Sequence, residues 1–138
     1  MQDTQDKATA KANFRAARER VGLTQDALAH AIKVNIRTIK RWEREDNTWT
    51  APADACETLT RMLEIQRAMV AAAVSHVDQD NPPALASLAY YRDQTMFEKF
   101  GPVDERGGWY GVANANARAI AQAMEALGVR VEFRYPCE

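Results

Sequence analysis

Histidine and cysteine are scarce in this chain, with two of each in 138 residues. Cys56 and Cys137 stand far apart, and His30 and His76 fall at no finger spacing with them. Neither a disulfide framework nor a Cys/His metal site is expected, so both thiols are read as reduced and no metal or other cofactor is implied. No run of about 18 apolar residues is present and no charged-then-apolar leader opens the sequence, which predicts a cytoplasmic protein with no membrane partner. Charge of one sign is also lacking, because 18 Lys/Arg against 19 Asp/Glu leave a net charge of −1. A surface that gripped nucleic acid all over would carry a large positive excess.

Catalytic constellations are equally thin. Asp93 with Glu98, or Asp104 with Glu105, would pair two carboxylates, but no histidine or cysteine stands at a spacing that completes an acid/base or nucleophilic set. Gly107, Gly108 and Gly111 suggest a phosphate loop only superficially, since a preceding buried strand and a following lysine are both missing. They read better as a turn before a helix, and no enzyme is expected.

What is present is uneven. Residues 11 to 50 carry nine Lys/Arg against five Asp/Glu, whereas residues 51 to 84 carry two against five. The positive charge is concentrated where helical patterning is clearest. Phe14, Ala17 and Val21 share one face of a helix expected from about Ala10 to Val21, stopped by Gly22, and residues 1 to 9 read as a flexible tail. Thr24 is suited to cap a second helix in which Ala27, Leu28, Ala31 and Ile32 recur at helical spacing, with Asp26 favoured near its positive end. Asn35 is suited to cap a third, in which Ile39 and Trp42 face inward while Arg37, Lys40, Arg41 and Arg44 project outward. A basic run of this kind is usually a solvated face, but two short capped helices joined by a tight turn form the layout of a helix-turn-helix. An α-helix fits the major groove, where arginine forks onto guanine and lysine or arginine neutralises phosphate.

Leu23-Thr24-Gln25, Leu28-Ala29, Val34-Asn35, Thr38-Ile39 and Arg41-Trp42-Glu43 resemble the Cro/C1-type (XRE) helix-turn-helix family over residues 12 to about 65. The resemblance implies that Gln25 binds a phosphate, that Ile36, Arg37 and Arg41 reach base edges, and that Thr38, Lys40 and Arg44 flank them on phosphates, beside the capping Asn35. It also implies a scaffold pair between Arg18 and Glu43. Where that family commonly has glycine in the turn, this chain has Lys33, which would need a left-handed or adjusted backbone.

Beyond Trp49, expected to pack its loop onto the domain, Pro52 to about Val77 reads as one long helix with apolar residues on more than one side, completing a helix-turn-helix domain over residues 10–77. Residues 78–84, with Pro82-Pro83, form the clearest linker. Residues 85–138 change period: a strand from Leu85 to Tyr91, a helix from about Asp93 to Phe100, a second from Trp109 or Val112 to Leu127, and a strand in which Val129, Val131, Phe133 and Tyr135 alternate with Arg130, Glu132 and Arg134. The expected class is mainly α with a small α+β C-terminal part. Two strands make a poor sheet alone, so a second subunit is expected to complete it.

Leu88-Ala89-Tyr90-Tyr91-Arg92-Asp93, Phe97, Trp109 and Ala117-Arg118-Ala119-Ile120-Ala121 resemble the second domain of two-domain repressors that include the anti-CRISPR-associated regulators. That resemblance implies homodimerisation, and Tyr90, Tyr91, Trp109, Val131 and Phe133 are the interface candidates. Together these readings predict a homodimeric repressor and autoregulator that occludes a promoter by binding double-stranded DNA at an inverted repeat, with half-sites about 10 bp apart or a multiple of that. The competing reading is an antitoxin-type chain whose C-terminal aromatics hold a partner protein, and RNA binding by the basic surface is a third.

Overall fold

The computed structural model describes residues 2–137 and contains α1 (Gln2–Val21), α2 (Gln25–Ile32), α3 (Ile36–Glu43), α4 (Ala53–Ser75), β1 (Leu85–Ala89), α5 (Gln94–Phe100), α6 (Tyr110–Ala126) and β2 (Arg130–Arg134). It is mainly helical with one small sheet near the C-terminus, the expected class. The chain divides into two units, Met1–Leu63 and Glu64–Glu138, with the division inside α4.

In the first unit Phe14, Val21, Leu23, Leu28, Ile39, Trp42, Ala55 and Leu59 are buried together. The Phe14 and Trp42 rings meet edge to face, with centroids 5.7 Å apart, so α3 is set against α1 through its apolar stripe. Leu28, Ile39 and Leu59 are almost wholly enclosed, and truncating any of them to alanine would cost roughly 2–5 kcal/mol. Gly22 has φ +88°, which ends α1 as its position suggested.

Two expectations for this unit are corrected. The first described residues are helical, so α1 starts at Gln2 and not near Ala10. Its opening turns bury little and include a Lys7–Asp3 ion pair one turn apart at 3.3 Å, a local device that leaves no mark on the apolar pattern. Trp49, expected to pack its loop onto the domain, is 62% exposed, and the loop is fastened through hydrogen bonds of the Trp49 backbone instead of by burial of the ring.

In the second unit β1 and β2 pair in parallel within one chain, with Leu85 beside Arg130, Ser87 beside Glu132 and Ala89 beside Arg134. The crossover between them runs through α5 and α6, as a parallel pair requires. β1 ends two residues earlier than its apolar run because, after a last bond from Tyr90 to β2, the Tyr91 backbone bonds elsewhere. Tyr90 N–H donates to the Arg134 carbonyl at 2.9 Å. The Tyr91 backbone is clasped by the Asn114 amide, which accepts from Tyr91 N–H and donates to the Tyr91 carbonyl, both at 2.8 Å. Tyr91 then packs edge to face on Phe97, with Val77, Ala115, Ala117, Ala121 and Val129 also buried in this unit. Gly101 lies so close to the Phe97 backbone and ring that a Cβ would sit 2.5 Å from the Phe97 carbonyl oxygen, which explains the glycine at the end of α5.

Among the described residues no helix is long and apolar enough to cross a membrane.

Candidate nucleic-acid interface

Both cap assignments hold. The Thr24 hydroxyl accepts from Ala27 N–H at 3.0 Å, and Asn35 Oδ1 accepts from Arg37 N–H at 2.8 Å. Each replaces a hydrogen bond that the helix start cannot make internally. Between the two helices Lys33 takes the left-handed conformation, φ 59° and ψ 46°, and its N–H closes onto the Ala29 carbonyl. The turn therefore keeps the geometry that glycine ordinarily supplies.

On α3, Ile39 and Trp42 point inward and Arg37, Lys40 and Arg41 are exposed, as is Arg44 just past the helix end; Ile36 and Thr38 are half-buried at the helix start and Asn35 is exposed. These residues form one surface strip, as the spacing predicts. Glu43, the acid within this run of residues, is turned inward from it. Arg18 grips it in a two-point pair, Nε to Oε2 at 2.7 Å and Nη2 to Oε1 at 2.8 Å, while Nη1 donates to the Leu23 carbonyl at 2.9 Å. The expected scaffold pair is therefore present, and its charges cancel below the surface. One guanidinium thus connects α1, the entry to α2 and the end of α3, an arrangement that suits the planar fork of arginine.

Gln25 is tied into the same group. Its Nε2 donates to Glu43 Oε1 at 3.2 Å, so its side chain is held at the start of α2 and lies half-buried.

Sequence patterning missed Lys11, which is 2% exposed. Its ammonium donates to the Arg41 carbonyl at 2.9 Å, the Trp42 carbonyl at 3.3 Å, Asn47 Oδ1 at 3.0 Å and the Trp49 carbonyl. It sits at the negative end of α3, where a cation is favoured, and fastens the following loop to that end. Burial lowers its pKa from 10.5; Asp46 offsets part of that effect and Arg44 adds to it. Asn47 completes the clamp, accepting from Trp49 N–H at 2.9 Å and donating to the Arg41 carbonyl at 3.1 Å. The signal for Lys11 was its spacing: with Phe14, Arg18 and Val21 it follows the inner stripe of α1, but a search restricted to apolar residues passes over it.

The clamped loop brings the Trp49 ring against Arg41, whose guanidinium carbon lies 5.6 Å from the ring centroid. Beyond it, Arg44 pairs loosely with Asp46 at 3.4 Å in an exposed position.

The C-terminal candidates fall in different settings. Tyr91 is 6% exposed and belongs to the core of its unit, so it is no surface residue. Tyr90 is half-buried and meets Phe133 edge to face at 5.2 Å, and its hydroxyl accepts from Arg118 at 2.5 Å. Trp109 is half-buried against Tyr110. Val131 is half-buried on β2, and Phe133 is 45% exposed.

No curated protein and no solved structure matches the chain. A helix-turn-helix family model matches residues 14–50, the segment that runs from Phe14 through both caps and the Arg18–Glu43 pair to the clamped loop. This match supports a DNA-binding transcription regulator of the Cro/C1 (XRE) type.

Proposed function

We propose that the chain is a homodimeric, sequence-specific transcriptional repressor that inserts α3 into the major groove of an inverted-repeat operator and occludes a promoter. The observation that carries the reading is the exposed Arg37–Lys40–Arg41–Arg44 strip on a helix whose inner side is immobilised by Ile39, Trp42 and the buried Arg18–Glu43 pair. A rigid helix places its guanidinium groups within the narrow tolerance that base-edge hydrogen bonding needs. Asn35 caps the helix that enters the groove, Arg37 and Arg41 read base edges with Ile36 against a thymine methyl, and Gln25, Thr38, Lys40 and Arg44 lie on phosphates. With two such helices related by a two-fold axis, the operator half-sites repeat at about 10 bp or a multiple of it.

Residues 85–138 supply the second copy in this reading, supported by a sheet of only two strands, by the exposed Phe133 and Tyr135, and by the resemblance to the anti-CRISPR-associated repressors.

Selection of bound duplexes from a random pool, combined with the mass of the protein alone and on DNA, tests the proposal. A palindromic winner carrying two chains is the expected result. A winner without symmetry, or the absence of any enriched duplex, refutes it.

A further inference from the structure

The sheet of the second unit has an open outer edge along β2, and the residues on that edge are complementary to themselves. Because the Arg134 carbonyl accepts from Tyr90 N–H on the β1 side, the alternation of a strand turns the N–H and C=O groups of Val131, Phe133 and Tyr135 the other way. Those groups face no further strand among the described residues. Phe133 is 45% exposed and Tyr135 60% exposed. On the opposite face of the strand Glu132 and Arg134 pair with each other at 3.0 Å.

We infer that β2 pairs antiparallel with β2 of a second copy, with the two-fold axis at Phe133, to give a four-stranded sheet in the order β1-β2-β2-β1. This deepens the homodimer reading above and rests on it. Side-chain chemistry selects the register. Centring on Phe133 sets Glu132 opposite Arg134 of the other copy twice, Phe133 opposite its own counterpart, and Val131 opposite Tyr135. Centring on Glu132 sets Glu132 against Glu132 and Arg130 against Arg134, which is repulsive. Centring on Val131 also matches Arg130 with Glu132, but it leaves Tyr135 uncovered and requires Val129, which is buried in its own unit, to serve as an edge residue.

In the selected register Phe133 and its counterpart form a hydrogen-bonded pair with Cα atoms about 5.5 Å apart, while Glu132 and Arg134 occupy the closer non-bonded sites. The free edge of β1, Leu85-Ala86-Ser87-Leu88-Ala89, carries no charge that would fix such a register.

Charge exchange tests the inference. Glu132→Arg and Arg134→Glu should each raise the concentration for half-dissociation of the dimer at least about tenfold, because each sets like charges opposite one another. Mixing the two variants in equal amounts should restore a dimer, which is then heterodimeric, since every opposed pair is again of unlike sign. Recovery on mixing also shows that each variant is folded. In a Cys56→Ser, Cys137→Ser background, Phe133→Cys should cross-link to itself under mild oxidation, the expected separation lying within disulfide reach. A dimer indifferent to both charge variants, or one cross-linked through Ser87→Cys and not through Phe133→Cys, overturns the inference while leaving the homodimer reading in place. A chain that stays monomeric at every concentration overturns both.

Discussion

The guanidinium of Arg41 lies over the indole of Trp49, 5.6 Å from its centroid, and the Trp49 backbone is itself anchored to the end of α3 through Lys11 and Asn47. Arg41 is therefore oriented before any DNA arrives. Since a cation over an exposed aromatic face is worth about 0.5–1 kcal/mol, Trp49→Ala should weaken operator binding about two- to fivefold. It should also relax discrimination at the base pair that Arg41 faces, while Trp49→Phe keeps most of it. Affinities for the selected duplex and its single-base variants measure this, and equal losses across all variants would argue against pre-orientation.

Lys11 should be costly to remove from the first unit, because its ammonium is buried among backbone carbonyls. Lys11→Met leaves the Trp42 and Trp49 carbonyls without their side-chain donor and the Arg41 carbonyl with Asn47 alone, with an expected loss of about 2–4 kcal/mol in urea unfolding. The pH dependence has a definite sign. The folded pKa is lowered from 10.5 by burial, so between the lowered value and 10.5 the unfolded chain holds the extra proton. Stability of the native protein relative to Lys11→Met should therefore rise with pH across that interval.

Removing one partner of the Arg18–Glu43 pair leaves the other charge buried and uncompensated. Arg18→Ala should cost about 3–5 kcal/mol. Arg18→Met combined with Glu43→Leu should recover much of that loss, because both desolvated charges are then gone. A double-mutant cycle by thermal or denaturant unfolding measures the coupling, and simple additivity would mean that the pair contributes nothing beyond its separate side chains.

Lys33 occupies a left-handed conformation that costs an L residue roughly 1–2 kcal/mol. Lys33→Gly relieves that strain but adds freedom to the unfolded chain. The expected net gain is about 0.5–1 kcal/mol, visible as a higher denaturation midpoint with an unchanged slope.

On DNA, Arg37→Ala and Arg41→Ala should each cost about 1–3 kcal/mol and broaden base choice, whereas Lys40→Ala should weaken all sequences alike and reduce the salt dependence. Binding isotherms at several salt concentrations separate the two outcomes. Replacement of both arginines without change would remove α3 from the interface.

The local rules were sufficient for the helix-turn-helix. Thr24 and Asn35 cap because a short polar side chain before an apolar-periodic run has few better uses, and Ile39 and Trp42 point inward because a period of 3.6 leaves them no other face. Strand alternation over residues 129–135 likewise announced β2. Less was legible wherever a polar group was the one buried: Lys11, Asn114 and Asn116 lie inside because each found backbone or side-chain partners, and the partners of Lys11 and Asn114 are distant in sequence. The same holds for Tyr91, whose type suited an interface but whose place was taken by Phe97 and Asn114.

By itself, then, the order of residues determined the helices, their caps, the basic outer strip and the class of the fold, because each of these depends on neighbours within a turn or two of chain. Tertiary structure decided which charges vanish beneath the surface, where the Trp49 loop is fastened, and that β1 and β2 meet in parallel with one side of β2 left open. Those outcomes depend on which groups come within hydrogen-bonding distance once the chain has packed, and sequence separation carries no information about that distance.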